Sequence, residues 1–133
     1  MTIDGGKSAL AEDFNRVNTL YHGTSSEFSP SIVEKGLKPH YKELPCKVHV
    51  SGRNFAYVST SHEEAKGHAQ YTAEYRGKDP DAKPVVIHID RNHPSARRLR
   101  TDPEQRTLPI KERTDFVTRK HIHPSAIKKV EEV

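Results

Sequence analysis

Residues able to do chemistry together fall in a definite order along this chain. His22 closes the stretch Leu20-Tyr21-His22 and is followed by Gly23 and Thr24. Tyr57 lies within Phe55-Ala56-Tyr57-Val58-Ser59-Thr60, and Tyr71 comes one predicted helix later. Asp102, Glu112 and Asp115 follow towards the C-terminus. Two aromatic rings facing each other could sandwich a flat heterocycle. A histidine at a strand end could hold an attached sugar by its hydroxyls. A glycine beside it exposes backbone N–H and C=O groups. A nearby carboxylate could stabilise positive charge on an anomeric carbon while a glycosidic bond breaks. Taken singly, each residue is better explained blandly: a turn-capping His, an edge-strand Tyr, a core-helix Tyr. Their joint occurrence in this order favours the chemical reading. None of this chemistry requires a metal.

The elements that must position these residues can be read from pattern. Residues 19–22 form a first strand, with Gly23 letting the chain turn and His22 at the break. Pro30 suits the first turn of a helix carrying Ile32 and Val33, and Gly36 ends it before Leu37. Residues 38–47 read as loop and 48–51 as a short strand. Phe55 to Ser59 is a further strand. Ser61-His62-Glu63-Glu64 resembles a capping box that opens a helix carrying Ala65, His68, Ala69 and Tyr71 towards Tyr75. Residues 84–90, Pro-Val-Val-Ile-His-Ile-Asp, are the clearest strand. Residues 91–113 form a long basic connection, and such loops are usually functional or poorly ordered. Phe116 to Thr118 and Ile127 to Val130 are late strands. An N-terminal segment, 1–18, combines a flexible start with a short helix at 9–17, and one domain spans 19–133. There is no internal repeat or low-complexity tract. The sum is α+β: short, mostly antiparallel strands with two or three helices.

Composition bounds the function. The chain has 133 residues, 32% hydrophobic and 30% charged, with 22 Lys+Arg against 18 Asp+Glu. Mean hydropathy is −0.86 and the pI is near 9.2. One modest core and an anionic partner fit these values, although a net +4 does not by itself mark a nucleic-acid binder. The single cysteine, Cys46, excludes an internal disulfide and a CxxC zinc site. No stretch approaches the ~20 apolar residues of a membrane span. The N-terminus lacks signal-peptide regions.

The series Leu20-Tyr21-His22-Gly23-Thr24, Ile32-Val33-Glu34-Lys35-Gly36-Leu37 and Ala56-Tyr57-Val58-Ser59 resembles the ADP-ribosyltransferases of the His-Tyr-Glu class. That class includes poly(ADP-ribose) polymerase catalytic domains, diphtheria-type toxins and the small rifamycin-modifying transferases. The resemblance runs from about Leu20 to the C-terminus. It implies two small sheets forming a split cleft for NAD, which is the substrate. His22 would bind the ribose, Gly23 would pair with the nicotinamide amide, and Tyr57 and Tyr71 would clamp the ring. Thr24, Arg53 and Ser59 would complete the NAD shell. The third catalytic position departs from the family pattern. Asp115 stands where the family usually has Glu, Glu112 is the next candidate, and Asp102 in Thr101-Asp102-Pro103 is the third. The Tyr57–Tyr71 interval is also long for the family, so Tyr75 is an alternative stacker.

What the resemblance implies is a mono-ADP-ribosyltransferase, a glycosyltransferase-type enzyme without a metal. A bacterial toxin or effector domain acting on protein or RNA in a target-cell cytoplasm is the first expectation, with an immunity protein as a further partner. A rifamycin-type transferase and an NAD-dependent RNA 2′-phosphotransferase are the enzymatic alternatives. A non-catalytic module of the same fold, binding nucleic acid or protein through Arg97, Arg98 and Arg100, is the alternative of another class. His121-x-His123 is a weak metal pair, because two ligands on a turn are usually just solvated.

Overall fold

The computed structural model describes residues 17–39, 56–97, 99–102, 105–109 and 112–133. Arg53, His49, Cys46, Arg98, the strand expected at 48–51 and all but the last residue of the helix expected at 9–17 lie outside them. The described chain is α+β. It forms one open, fully antiparallel sheet of six strands with two α-helices. The elements are β1 (Thr19–Ser25), α1 (Ser29–Lys35), β2 (Ala56–Ser59), α2 (His62–Tyr75), β3 (Pro84–Asp90), β4 (Arg100–Thr101), β5 (Asp115–Thr118) and β6 (Ile127–Glu132). The spatial order is β4-β5-β2-β1-β3-β6.

Where two sheets were expected, the halves β4-β5-β2 and β1-β3-β6 are continuous, but the seam between them is slight. β1 pairs with β3 along its whole length, from Thr19↔Asp90 to Ser25↔Pro84. It pairs with β2 only at Tyr21↔Ser59.

Side chains alternate across the sheet, so each strand feeds two layers. Leu20, Ala56, Val58, Val85, Ile87, Ile89 and Phe116 face one side, where Leu37, Ile122, Ala96 and Ala126 close the main core and Ile32 of α1 packs against it. Tyr21 and Val86 face the other side, under Ala65 and Ala69 of α2. Small residues on α2 bring the helix close to the sheet, and Gly23 is what permits it. A Cβ at Gly23 would lie 2.0 Å from the Ala65 carbonyl oxygen and 2.7 Å from the Ala69 nitrogen. This corrects the expected turn at His22-Gly23. β1 runs straight through to Ser25, and the glycine serves helix–sheet contact, because seven successive pairs with β3 hold its backbone extended.

Local signals at the helix ends behave as chemistry predicts. The Ser61 hydroxyl accepts the Glu64 N–H at 3.2 Å and starts α2. Pro30 sits in the first turn of α1, and Gly36, at φ 87°, ends it with its N–H on the Ile32 carbonyl. Leu37 then exchanges both backbone hydrogen bonds with Ile122 at 2.9 Å.

One short repeat escapes the sequence reading. His-Pro-Ser-Ala occurs at 93–96 and again at 123–126, and each copy forms a 3₁₀ turn capped by its histidine. The turns dock on each other. His93 Nε2 donates to the Ser125 hydroxyl at 2.8 Å, the His123 N–H donates to Ser95 Oγ at 2.9 Å, and the two rings lie parallel within 5°. This reciprocal clasp ties the chain after β3 to the chain before β6, and it supplies two alanines to the core.

Candidate functional site

The seam between β1 and β2 places two of the expected residues in contact. His22 Nδ1 lies 2.7 Å from the Tyr57 carbonyl oxygen. A carbonyl can only accept, so Nδ1 carries the proton, and in the neutral ring Nε2 is then an acceptor. The histidine is thereby oriented by the strand that also carries Tyr57. Strand alternation puts the His22 side chain on the Leu20 side of the sheet and Tyr57, two residues before Ser59, on the α2 side. Thr24 is buried within β1, and buried Ser59 accepts the Ser61 N–H at 3.0 Å, so both serve the fold around α2 and the strand core.

Asp115 opens β5 opposite Ser59, on the α2 side of the sheet. Its carboxylate is held by Gln105, whose amide donates to Oδ2 at 2.9 Å, and by the Thr114 hydroxyl at 3.4 Å. The same Gln105 side chain accepts the Thr114 and Asp115 backbone N–H groups at 3.0 and 2.9 Å. His68 of α2 approaches Oδ2 at 3.9 Å. Hydrogen bonding to Asp115 raises the His68 pKa above its ordinary 6.5. Partial burial opposes the rise, while the charges of Asp115 and Glu64 add to it and that of Arg76 subtracts. At 3.9 Å between heavy atoms this pairing is long and loose. Asp102 is buried beside this group, its N–H donating to the Asp115 carbonyl at 2.9 Å. Glu112 is exposed, in a turn closed by its N–H on the Pro109 carbonyl. His22 and Asp115 thus belong to opposite faces, which sequence order alone does not reveal.

The second expected tyrosine lies on the exposed side of α2. The Tyr71 ring meets Tyr75, with centroids 5.0 Å apart, and Arg76 lies over its face at 5.4 Å. Tyr71 and Tyr75 are 47% and 63% exposed, so the pair forms a solvent-facing surface of α2. Their spacing of one helical turn is what brings them together.

A cavity of about 550 Å³ is lined by Lys38, Pro39, Arg119 and His121. Arg119 follows Thr118, the register partner of Ala56, which places it next to the start of the Tyr57 strand. His121 Nε2 donates to the Lys35 carbonyl, and His123 caps its own turn, so both histidines of the His121-x-His123 stretch make structural contacts.

The sequence reading missed a second cluster, on the α2 side. His62 at the start of α2, His88 on β3 and Glu131 on β6 converge, with their ligating atoms within 4.8 Å of one another. Both Nε2 atoms lie 2.8 Å from the same Glu131 Oε1. These two donors hold the Glu131 pKa down to about 2. The only hint in the sequence was the position of His88 in a strand otherwise apolar.

No described helix is long and apolar enough to cross a membrane. Compared with known proteins, the chain matches no family model and no curated sequence.

Proposed function

We propose that this chain is an NAD-dependent mono-ADP-ribosyltransferase acting on a protein or RNA acceptor. The observation that carries the reading is the 2.7 Å contact between His22 and the Tyr57 carbonyl across a seam joined by one residue pair. His22 and Tyr57 are the motif residues of the resemblance, they lie 35 positions apart, and they meet where a split cleft would open. The Tyr57 carbonyl fixes the His22 ring through Nδ1, and the role proposed for His22 is to orient the ribose. The Lys38 and Arg119 cations of the cavity suit the pyrophosphate of a dinucleotide. In the reaction, the bond from ribose C1′ to the nicotinamide nitrogen breaks and its electron pair leaves with nicotinamide. The acceptor nucleophile bonds to C1′ and loses its proton. A carboxylate offsets the positive charge building on the ribose. Asp115, the first candidate by sequence, is held by Gln105 and Thr114 on the sheet face opposite the His22 side chain, so Asp115, Glu112 and Asp102 variants decide which carboxylate supplies it.

The test is transfer of label from adenylate-labelled NAD, with separate arms of bacterial lysate, extracted RNA and rifampicin. The wild-type chain should label one arm and release nicotinamide. The folded His22→Ala variant should be slower by at least about a hundredfold, the loss expected when a positioning contact is removed. Equal rates in the two proteins would overturn the proposal, as would intact NAD in every arm together with no NAD uptake in a titration.

A second reading, an anion-binding module without turnover, is favoured by the same cationic cavity. It predicts RNA binding that falls on Arg119→Ala and is indifferent to His22→Ala.

A further inference from the structure

The cluster at the start of α2 has a form that the proposed transfer reaction does not use. From its geometry we infer that His62, His88 and Glu131 form a binding site for a divalent first-row transition-metal ion. Two imidazole nitrogens and one carboxylate oxygen, drawn from three elements, are a donor set that suits such ions, whereas calcium and magnesium prefer oxygen. Both nitrogens already point at one oxygen, 2.8 Å away. Around an ion with bonds of about 2.0–2.1 Å, neighbouring tetrahedral ligands sit roughly 3.3 Å apart. Small side-chain rotations that open each N···O distance by about half an ångström therefore make room for it.

The surroundings hold this arrangement in place. The register of β3 and β6 shifts between His88 and Ile89, and a bulge of this kind re-aims a side chain. Glu131 pairs with Val86, so it shares the α2 face with His88, two residues further along β3. The Tyr21 ring meets both imidazoles edge-on, with centroids 5.3 Å from His62 and 5.0 Å from His88, and forms one wall. The positive end of the α2 dipole works against a cation here, and Glu63 and Glu64 in the first turn offset it. His88 is the most enclosed of the three, while the side chains of His62 and Glu131 stay about one-third accessible, so solvent or a ligand can complete the coordination.

Without a metal, the carboxylate can only accept, so both rings carry their protons on Nε2. Binding through Nε2 requires each neutral ring to move that proton to Nδ1, and a charged ring to release one. No other bond changes. The ion would then crosslink the first residue of α2 to β3 and β6, adding to the fold directly.

The experiment is calorimetric titration of the whole chain with Zn2+, and visible absorption after loading with Co2+. One ion per chain should bind, with a rise in Tm that follows Zn2+ concentration. His62→Ala and Glu131→Ala should each weaken binding by at least about tenfold, a loss that even outer-shell changes can cause. His123→Ala and Cys46→Ser, which remove other soft donors, should leave it within about twofold, small beside the outer-shell range. Circular dichroism checks that each variant is folded, and His62→Ala decides alone should Glu131→Ala fail to fold. Zn2+ binding that is absent at millimolar concentration, unchanged in the folded His62→Ala chain, or lost instead with His123 or Cys46 would overturn the assignment. None of these readouts depends on NAD, so the site stands or falls apart from the transfer reaction.

Discussion

The two flanks of β1 hold that strand in different ways. Towards β3, every residue from Thr19 to Ser25 has a register partner, and β3 is in turn paired with β6. Towards β2, only Tyr21 is paired, and the next link is a side chain, His22, reaching a backbone carbonyl. On the laddered flank the backbone is taken up by pairing, so any chemistry must come from side chains standing above the sheet, and there His62, His88 and Glu131 gather. At the seam a backbone acceptor is open to a side chain, so strand and histidine can together frame a ligand. One sheet thus carries two kinds of side-chain arrangement, and the completeness of the ladder separates them.

The largest break in this comparison should come from Gly23, which lets α2 lie on the laddered flank. Gly23→Val would drive a Cβ into the backbone of Ala65 and Ala69, which cannot move without shifting the helix. Overpacking of this kind costs on the order of 3 kcal/mol. Urea unfolding should show it as a lower midpoint, and an unchanged midpoint would mean that α2 does not pack so closely.

A smaller effect is expected on the β5 side of the seam. Gln105→Ala removes the amide that holds both the Asp115 carboxylate and two backbone N–H groups. The expected loss is about 1–2 kcal/mol, that of a few partly solvated hydrogen bonds. If Asp115 supports catalysis, transferase activity should fall further than stability does. Activity that stays level would move the acidic role to Asp102 or Glu112.

The smallest effect concerns His68 and Asp115. The His68 pKa is raised above 6.5 in the folded chain, so the contribution of the pair is fully present below about 6.5 and is lost as pH rises through the raised value. His68 is well exposed, so only a few tenths of a kcal/mol are at stake. Midpoints for wild type and His68→Ala should differ more at about pH 5.5 than at higher pH, once the pH has risen past the raised His68 value. A gap that widens with pH would contradict the assignment.

Much of the fold was legible because its signals are local. The apolar run at 84–90 became β3 with the same bounds, Ser61 and Glu64 marked the start of α2, and Gly36 closed α1. The α+β class and the antiparallel pairing followed from short strands of alternating character. The site was legible only in part. His22 and Tyr57 were singled out through motif order, and the His22 ring reaches the Tyr57 main-chain carbonyl while their side chains stand on opposite faces. Asp115 was found by position, but its face was not, because strand parity cannot be compared between strands until their register is known. Tyr71 lies on α2 as expected, and its ring meets Tyr75, its neighbour one turn on. The doubled His-Pro-Ser-Ala clasp was present in plain letters, but two tetrapeptides thirty residues apart gain meaning only when they dock.

By itself, the sequence determined where α1 closes, where α2 starts and where β3 lies, since capping, glycine and proline act within a few residues. It also determined which residues are chemically able to act. Tertiary structure alone decided that Gly23 is a packing residue, that the sheet is continuous with a one-pair seam, and that His62, His88 and Glu131 share one oxygen. The physical reason is common to all three. Each depends on the distance between segments far apart in the chain, and that distance is set by pairing register and helix packing, which no local pattern encodes.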